Sequence, residues 1–238
     1  MGKAFKRVLL KLSGEALMGK EPYGISSDFL NKVVDELSKA TELGSQIGIV
    51  VGGGNIFRGV SGAAKGMNRA AADQMGMLAT VLNGLALQDA LLKKGVEARV
   101  LSAIEIGRMV EPFVRARAIK HLEKGRIVIF VAGTGNPFFT TDTAATLRAL
   151  EIEADILFKA TRVDGVYDKD PYENPDAQRI PKITYKEVLE KGLRVMDAAA
   201  ISLAMDAKLP IMVFNMMKEG NIVKALSGHD LGSLIVAE

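Results

Sequence analysis

Short runs rich in Val, Ile, Leu and Phe recur along the chain at Arg7–Leu12, Ile47–Val51, Ala98–Leu101, Ile127–Ala132, Asp155–Ala160 and Ile211–Phe214. Longer helical patterns lie between them, as in SSDFLNKVVDELSKATELG, where Phe29, Val33, Leu37 and Ala40 recur at helical spacing and Ser27 or Asp28 could cap. This alternation predicts an α/β fold, a three-layer α/β/α sandwich around a largely parallel central sheet. No fixed-period repeat or low-complexity tract interrupts it.

A chain of 238 residues is long enough to bury a substantial core without covalent staples. The stretch DGVYDKDPYENPDAQRIP, dense in Asp, Asn, Pro and Tyr, reads as a long surface loop around Tyr167 to Pro181. The expectation is a single domain with two lobes, residues 1–153 and 154–238.

Composition removes several chemistries. There is no cysteine, so disulfides, thiolate metal sites and cysteine nucleophiles are excluded, and His121 and His229 are the only histidines. The 31 basic and 28 acidic residues form no long runs of one sign, so the balance fits an anionic small molecule, and with no basic-aromatic stripe neither nucleic acid nor a membrane is an expected partner. The opening MGKAFKRVLLKL is broken by Lys11 and lacks a cleavage-site pattern, so a soluble cytoplasmic protein is expected. QMGMLATVLNGLALQ, residues 74–88, carries no charge yet is too short and too polar to span a bilayer. A helix apolar nearly all round is either buried core or shared with another subunit.

In an open α/β sheet, ligands gather beyond the carboxyl ends of the strands. Four loops there carry unusual residues. KLSGEAL, residues 11–17, places Lys11 at the end of the first strand with Ser13 and Gly14 after it, a charge and a close backbone approach suited to phosphate. GEALMGK imitates a P-loop, but Glu21 stands where Ser or Thr must hold magnesium and no good helix follows Lys20. VVGGGNIFRG, residues 50–59, presents successive unobstructed N–H groups, and Arg58 adds a fork of donors. A tight turn alone needs fewer glycines. GTGNPFFTTD, residues 133–142, puts two phenylalanines where a turn has no use for them. KATRVDGVYDKDP, residues 159–171, is a solvated acidic turn if taken alone, and the second half of a nucleotide pocket if taken with the others.

Phosphoryl transfer would use these parts, because it asks a protein to position two anions and neutralise spreading charge. One lysine about 4 Å from a phosphoryl oxygen is worth on the order of 4 kcal/mol at an effective dielectric of 20. A usual enzymatic acceleration needs ~8 kcal/mol or more, so several cations and N–H donors must act together.

In order and spacing, KLSGEAL, GGGNIFRG, GMNRAAADQMGMLATVLNGLAL, AGTGNPFFTTDTAA, EIEADILFKATRVDGVYDKDP and KLPIMVFNM closely resemble the bacterial uridylate (UMP) kinases of the amino acid kinase superfamily. The resemblance runs through essentially the whole chain. It implies transfer of the ATP γ-phosphoryl group to UMP, with Mg²⁺ carried on ATP, an acceptor lobe at 1–153 and an ATP lobe at 154–238. It further implies that Lys11, Leu12, Ser13 and Gly14 meet the ATP phosphates, with Lys11 stabilising the moving group. Gly53 would contact UMP, Gly54 and Arg58 would lie where the two phosphates meet, and Asp73 would hold the ribose. Thr134, Gly135, Asn136, Pro137, Phe138, Phe139, Thr140 and Thr141 would enclose UMP, with the uracil against Phe138 or Phe139. Thr161, Tyr167 and Asp170 would bind the adenosine part of ATP. No residue is assigned as a direct metal ligand.

Asp142 is either an organiser of Lys11 or a helix N-terminal residue facing the dipole; a general base is not needed, because the acceptor phosphate is already ionised. Asp197, in RVMDAAAI, stands where superfamily members acting on carboxylates often have a second catalytic lysine. The resemblance also implies a homohexamer built from dimers, GTP activation and UTP inhibition. The segment linked to the GTP response corresponds to Gly19, Lys20, Glu21, Pro22, Tyr23 and Gly24. A kinase acting on glutamate or carbamate is the rival, and it has no use for Phe138 and Phe139. A nucleotide sensor without catalysis would have been free to lose Lys11.

Overall fold

The computed structural model describes residues 5–58, 66–193 and 195–237; Gly59 of VVGGGNIFRG and Arg194 of RVMDAAAI lie outside the described residues. In chain order the strands are β1 (Arg7–Leu12), β2 (Gln46–Val51), β3 (Ala98–Ser102), β4 (Glu111–Pro112), β5 (Ile127–Val131), β6 (Ile156–Thr161), β7 (Val166–Tyr167), β8 (Arg179–Ile180), β9 (Lys182–Thr184), β10 (Ile211–Asn215) and β11 (Ser233–Val236). The helices are α1 (Gly14–Leu17), α2 (Ser27–Thr41), α3 (Arg69–Lys93), α4 (Arg115–Glu123), α5 (Thr141–Glu151), α6 (Tyr185–Glu190), α7 (Ala198–Asp206) and α8 (Asn221–Leu226).

Every apolar run read from the sequence is a strand, within a residue or so at its ends. Nine strands form one sheet in the order β4-β3-β5-β2-β1-β6-β10-β11-β9. Neighbours are parallel throughout except β10 and β11. The side-chain period of two sends alternate residues of each strand to opposite layers. Val8, Leu10 and Leu12 pack with α2, α3 and α8 on one face. Leu9, Leu157 and Val213 pack with α4, α5, α6 and α7 on the other. The three-layer sandwich expected from the sequence is therefore present.

Two local readings change. Helix α2 is capped by Ser26, whose Oγ accepts from the Phe29 N–H at 3.4 Å, one position before Ser27 and two before Asp28, the expected caps. The segment read as a long loop is pinned as a hairpin, because β7 and β8 pair antiparallel and Asp168 and Gln178 bond across its base.

Helix α3 is buried core along one side only, and the other side is apolar and exposed. Ala72, Met77, Thr80, Leu87 and Leu91 are buried against the sheet, whereas Met75, Leu78 and Leu82 are exposed. Among the described residues it is the one helix long and apolar enough to cross a membrane, but half of its most apolar stretch is packed inside the fold. Gly84 sets how near it lies to the sheet, since a Cβ there would collide with Val131 Cγ1. Gly84→Ala gains helix propensity of about 1 kcal/mol, yet Val131 is a buried β-branched residue with nowhere to move. We expect overpacking to win, lowering stability by about 1–3 kcal/mol in urea unfolding; an unchanged or raised midpoint would contradict this packing.

Candidate active site

Lys11 and Lys159 are register partners on β1 and β6. Paired residues on adjacent strands share a face and lie about 4.8 Å apart. Each lysine follows a core leucine by two residues, Leu9 and Leu157, so both point into the layer of α5 and α7, at the carboxyl end of the sheet. Two ammonium groups so close and so little exposed need an anion between them. Asp142, in the first turn of α5, supplies it. Lys11 Nζ lies 2.8 Å from its Oδ1, and Lys159 Nζ donates to its Oδ2 at 2.7 Å. Lys159 also donates to the carbonyl of Val195, just before α7.

Burial alone would push the Asp142 carboxyl up; the Lys11 and Lys159 charges overcome it and hold the group well below the usual carboxylate range. Burial pulls Lys159 below the ordinary lysine range, with the Asp142 charge opposing. The capping of α5 falls to Thr140, whose Oγ1 accepts from the Asp142 N–H at 3.0 Å and the Thr143 N–H at 3.4 Å. Asp142 thus sits at a helix N-terminus with its carboxylate spent on the lysines.

Asp197 is the N-cap of α7, accepting from the Ala200 N–H at 2.9 Å. It also accepts from Thr143 Oγ1 at 2.8 Å and from the Thr140 hydroxyl. It fastens α7 to the start of α5 and so fixes where Asp142 stands.

Beside this cluster opens a cavity of about 480 Å³, bounded by Glu15, Gly53, Gly54, Phe57, Arg58, Arg69, Asp73, Gly76, Met77, Thr80, Gly133, Thr134, Asn136, Phe139, Thr140 and Thr141. The three glycines of residues 52–54 serve close packing as well as openness. A Cβ on Gly52 would stand 2.8 Å from the Gly14 nitrogen, and one on Gly53 would stand 2.8 Å from the Gly76 carbonyl on α3. Arg58 forms an ion pair with Glu15. Asn55 and Asn83, both buried, exchange amide hydrogen bonds at 2.9 and 2.7 Å, and Asn83 also donates to the Gly52 carbonyl.

The 133–141 loop is held from α3. Thr80 Oγ1 accepts from the Ala132 N–H at 2.7 Å, and Asp73 accepts from the Phe138 N–H at 2.8 Å. Asp73 is steadied by Arg69 Nε at 2.8 Å, and the Arg69 guanidinium lies 5.9 Å from the Phe138 ring centre. Ala132, Gly133, Gly135 and Phe138 all have positive φ. For a phenylalanine this is costly backbone geometry, and it turns the ring outward. Phe138 is 67% exposed, whereas Phe139, 53% exposed, lines the cavity.

A second cavity of about 440 Å³ lies at the carboxyl ends of β6 and β10, walled by Asp164, Arg179, Asn215, Lys218, Asn221 and Gly232 among others. Lys218 Nζ is 2.7 Å from Asp164, and its hydrogen bond is the main reason that this carboxyl lies below its ordinary value. Glu36 of α2 fixes the wall by accepting from the Gly220 and Ile222 N–H groups at 2.9 and 2.8 Å.

The amino acid kinase family model matches residues 6–215. The chain belongs to the amino acid kinase family. Among solved structures it is similar to the UMP kinase from Bacillus anthracis, with TM-score 0.95, 39% identity and coverage of 99% of this chain and 98% of that one. It is also similar to the UMP kinase from Ureaplasma parvum, at TM-score 0.91, 39% identity and 97% and 98% coverage. The uridylate kinase from Archaeoglobus fulgidus follows at TM-score 0.76, 27% identity and 96% and 99% coverage.

Within this amino acid kinase fold, the residues singled out from the sequence distribute unevenly. Gly53, Gly54, Arg58, Asp73, Thr134, Asn136, Phe139, Thr140 and Thr141 line the larger cavity, while Gly135, Pro137 and Phe138 shape its loop from outside. Leu12 is core, leaving only its backbone for a ligand, and Ser13 begins α1 without spending its hydroxyl on a cap. Thr161 ends β6, Tyr167 is half-buried in β7, and Asp170 caps a turn by accepting from the Tyr172 N–H at 2.9 Å. None of these three lines the second cavity. Gly24, closing the 19–24 segment, is bonded to Asn55 through its N–H and its carbonyl at 2.9 and 2.8 Å. Lys159, Arg69, Glu15 and the Asn55–Asn83 pair were not singled out. Lys159 did leave a trace, a lysine ending the apolar run DILFK much as Lys11 ends RVLLK.

A carboxyl with a depressed folded pKa adds stability above its unfolded value, about 3.9, and loses it as the pH falls from there through the folded value. Asp142→Asn leaves two buried ammonium groups without their anion and should cost about 3–5 kcal/mol at pH 7. In urea unfolding the gap to wild type should narrow by about 1 kcal/mol on going to about pH 3. A gap that is constant over this range would contradict the arrangement.

Proposed function

We propose that this chain is a UMP kinase, transferring the γ-phosphoryl group of ATP to UMP with release of ADP and UDP. The observation that carries the reading is the Lys11–Asp142–Lys159 cluster beside a cavity that offers a flat aromatic, Phe139, at one part and the glycine loop of Gly53 and Gly54 with Arg58 at another. The similarity to UMP kinases over nearly the full length of both chains supports it.

An oxygen of the UMP phosphate forms the new bond to the γ-phosphorus while the bond from that phosphorus to the β,γ-bridging oxygen breaks and ADP leaves. The acceptor is ionised, so no side chain must take a proton. Lys11 and Arg58 bring positive charge to the phosphates, and the N–H groups around Gly14, Gly53 and Gly54 supply further donors. For Arg58 to do so, its guanidinium leaves Glu15 for the ligand. Asp73 and the 134–141 loop enclose the acceptor, with Phe139 as the surface for uracil. Thr161, Tyr167 and Asp170 border the donor nucleotide, and the second cavity extends that side. The larger cavity draws only on residues 15–141 and the second only on 164–232, which supports an acceptor lobe at 1–153 and a donor lobe at 154–238.

Magnesium fits this site as MgATP. Both Asp142 oxygens face ammonium groups, Asp197 is engaged by three donors, and no group of three acidic or histidine side chains able to hold a metal occurs among the described residues. An ion held mainly by phosphates and water suits magnesium chemistry, and it would add charge neutralisation on the ATP phosphates.

The assembly is a homohexamer built from dimers in the cytoplasm, with GTP activation and UTP inhibition. The outward stripe Met75, Leu78 and Leu82 supports self-association through α3, and the tie from Gly24 to Asn55 supports a route from the 19–24 segment to the phosphate loop.

A coupled assay should show ADP formation from ATP with UMP; activity with glutamate or carbamate and none with UMP refutes the reading. Lys11→Ala should lower kcat by about 10²–10³-fold while calorimetric UMP binding persists; equal loss of both would contradict its role. Leu82→Glu should shift the sedimenting species to lower mass, and an unchanged mass would exclude α3 as the contact.

A further inference from the structure

We propose that Lys159 is a positioning residue for phosphoryl transfer, acting through Asp142 to leave the charge of Lys11 free for the transferred group. This rests on the kinase reading above. The argument is one of charge at short range. Lys11 alone with Asp142 would be a neutral ion pair, its positive charge answered at 2.8 Å before any phosphate arrived. Lys159, at 2.7 Å on the other carboxylate oxygen, cancels that anion, so the three groups together keep one unit of positive charge. Lys11 and Lys159 divide the work by position. Lys159 is anchored by the Val195 carbonyl as well as by Asp142, and its strand neighbour on the far side is Val213 of β10. Lys11 stands at the mouth of the KLSGEAL loop, next to the strand that leads into the glycine loop.

The charged groups facing Lys159 from the elements around it are Lys11 on β1, Asp142 on α5 and Asp197 at the start of α7. Asp197 is already spent on Thr140, Thr143 and the Ala200 N–H. Removing the Lys159 charge therefore acts chiefly on Asp142. The carboxyl loses one of its two cations and must titrate at higher pH, and the remaining pair with Lys11 becomes neutral.

The test compares wild type with Lys159→Met, Lys159→Arg, Asp142→Asn and the double variant Lys159→Met/Asp142→Asn, using ATP and UMP across the pH range in which they fold. Lys159→Met should lower kcat about 10²-fold near neutral pH, leave KM for UMP within about threefold, and lose less against wild type as the pH falls, because protonating Asp142 returns the charge of Lys11. Lys159→Arg, which keeps the charge, should recover at least tenfold of that loss and follow the wild-type pH profile. The double variant should be no slower than Asp142→Asn, because both act on the same contact. A Lys159→Met variant with wild-type kcat, or with a loss that is the same at every pH and multiplies with that of Asp142→Asn, overturns the proposal. Should Lys159→Met fail to fold, Lys159→Arg decides: a changed pH profile or a loss beyond tenfold counts against it. A readout independent of turnover is the carboxyl ¹³C titration of Asp142, which must lie higher in Lys159→Met, or in Lys159→Gln, than in wild type; an unchanged titration also overturns the proposal. A wild-type protein with no UMP-dependent activity refutes the kinase reading instead, and that titration still tests the Lys159–Asp142 link.

Discussion

One carboxylate between two ammonium groups governs the site, because none of the three could be buried there alone. An isolated charge in a poorly hydrated layer neutralises or drags in water, and a single ion pair would present no net charge to an anionic ligand. Three groups with one unit of positive charge left over satisfy both demands. The surrounding parts then read as means of holding that carboxylate in place: Thr140 caps its helix, Asp197 fastens the helix to α7, and Val195 anchors the lysine behind it.

The other organising element is α3. Its buried side reaches both loops that border the larger cavity, through Asp73 and Thr80 to the 132–138 backbone and through Asn83 to the glycine loop. Gly53 and Gly84 let the helix approach loop and sheet more closely than any side chain would allow. Its opposite side is apolar and exposed. The same rigid body thus connects the cavity walls with the outer surface, and the amide pair Asn55–Asn83 carries that connection on to Gly24.

The layered architecture was legible in the sequence because the central strands are buried on both faces and read as near-continuous apolar runs. β4, β7, β8, β9 and β11 were not, since strands of two to four residues carry no pattern to read. At the site, glycines and misplaced aromatics announced the two loops that meet around the larger cavity. Lys159 was harder to find. A lysine ending a strand is usually a solvated edge residue, and only pairing of β6 with β1, distant in sequence, sets it beside Lys11. Asn55 and Asn83 are likewise ordinary amides until the fold buries them face to face. Phe138 and Phe139 were indistinguishable by type; backbone handedness separates them, turning one ring outward and leaving the next against the cavity.

The pairing of Lys11 with Lys159 also bears on how such a chain can drift. A strand shifted by one residue turns every side chain to the opposite layer, so a single insertion or deletion within β1 or β6 would bury a lysine among the helices of the other face and lift a leucine into its place. The tip of the hairpin between β7 and β8 beyond Asp170 has no such constraint, for residues 172–177 line neither cavity and none of them is buried. Length variation among descendants should therefore collect at that tip, while the two strands keep their count unchanged.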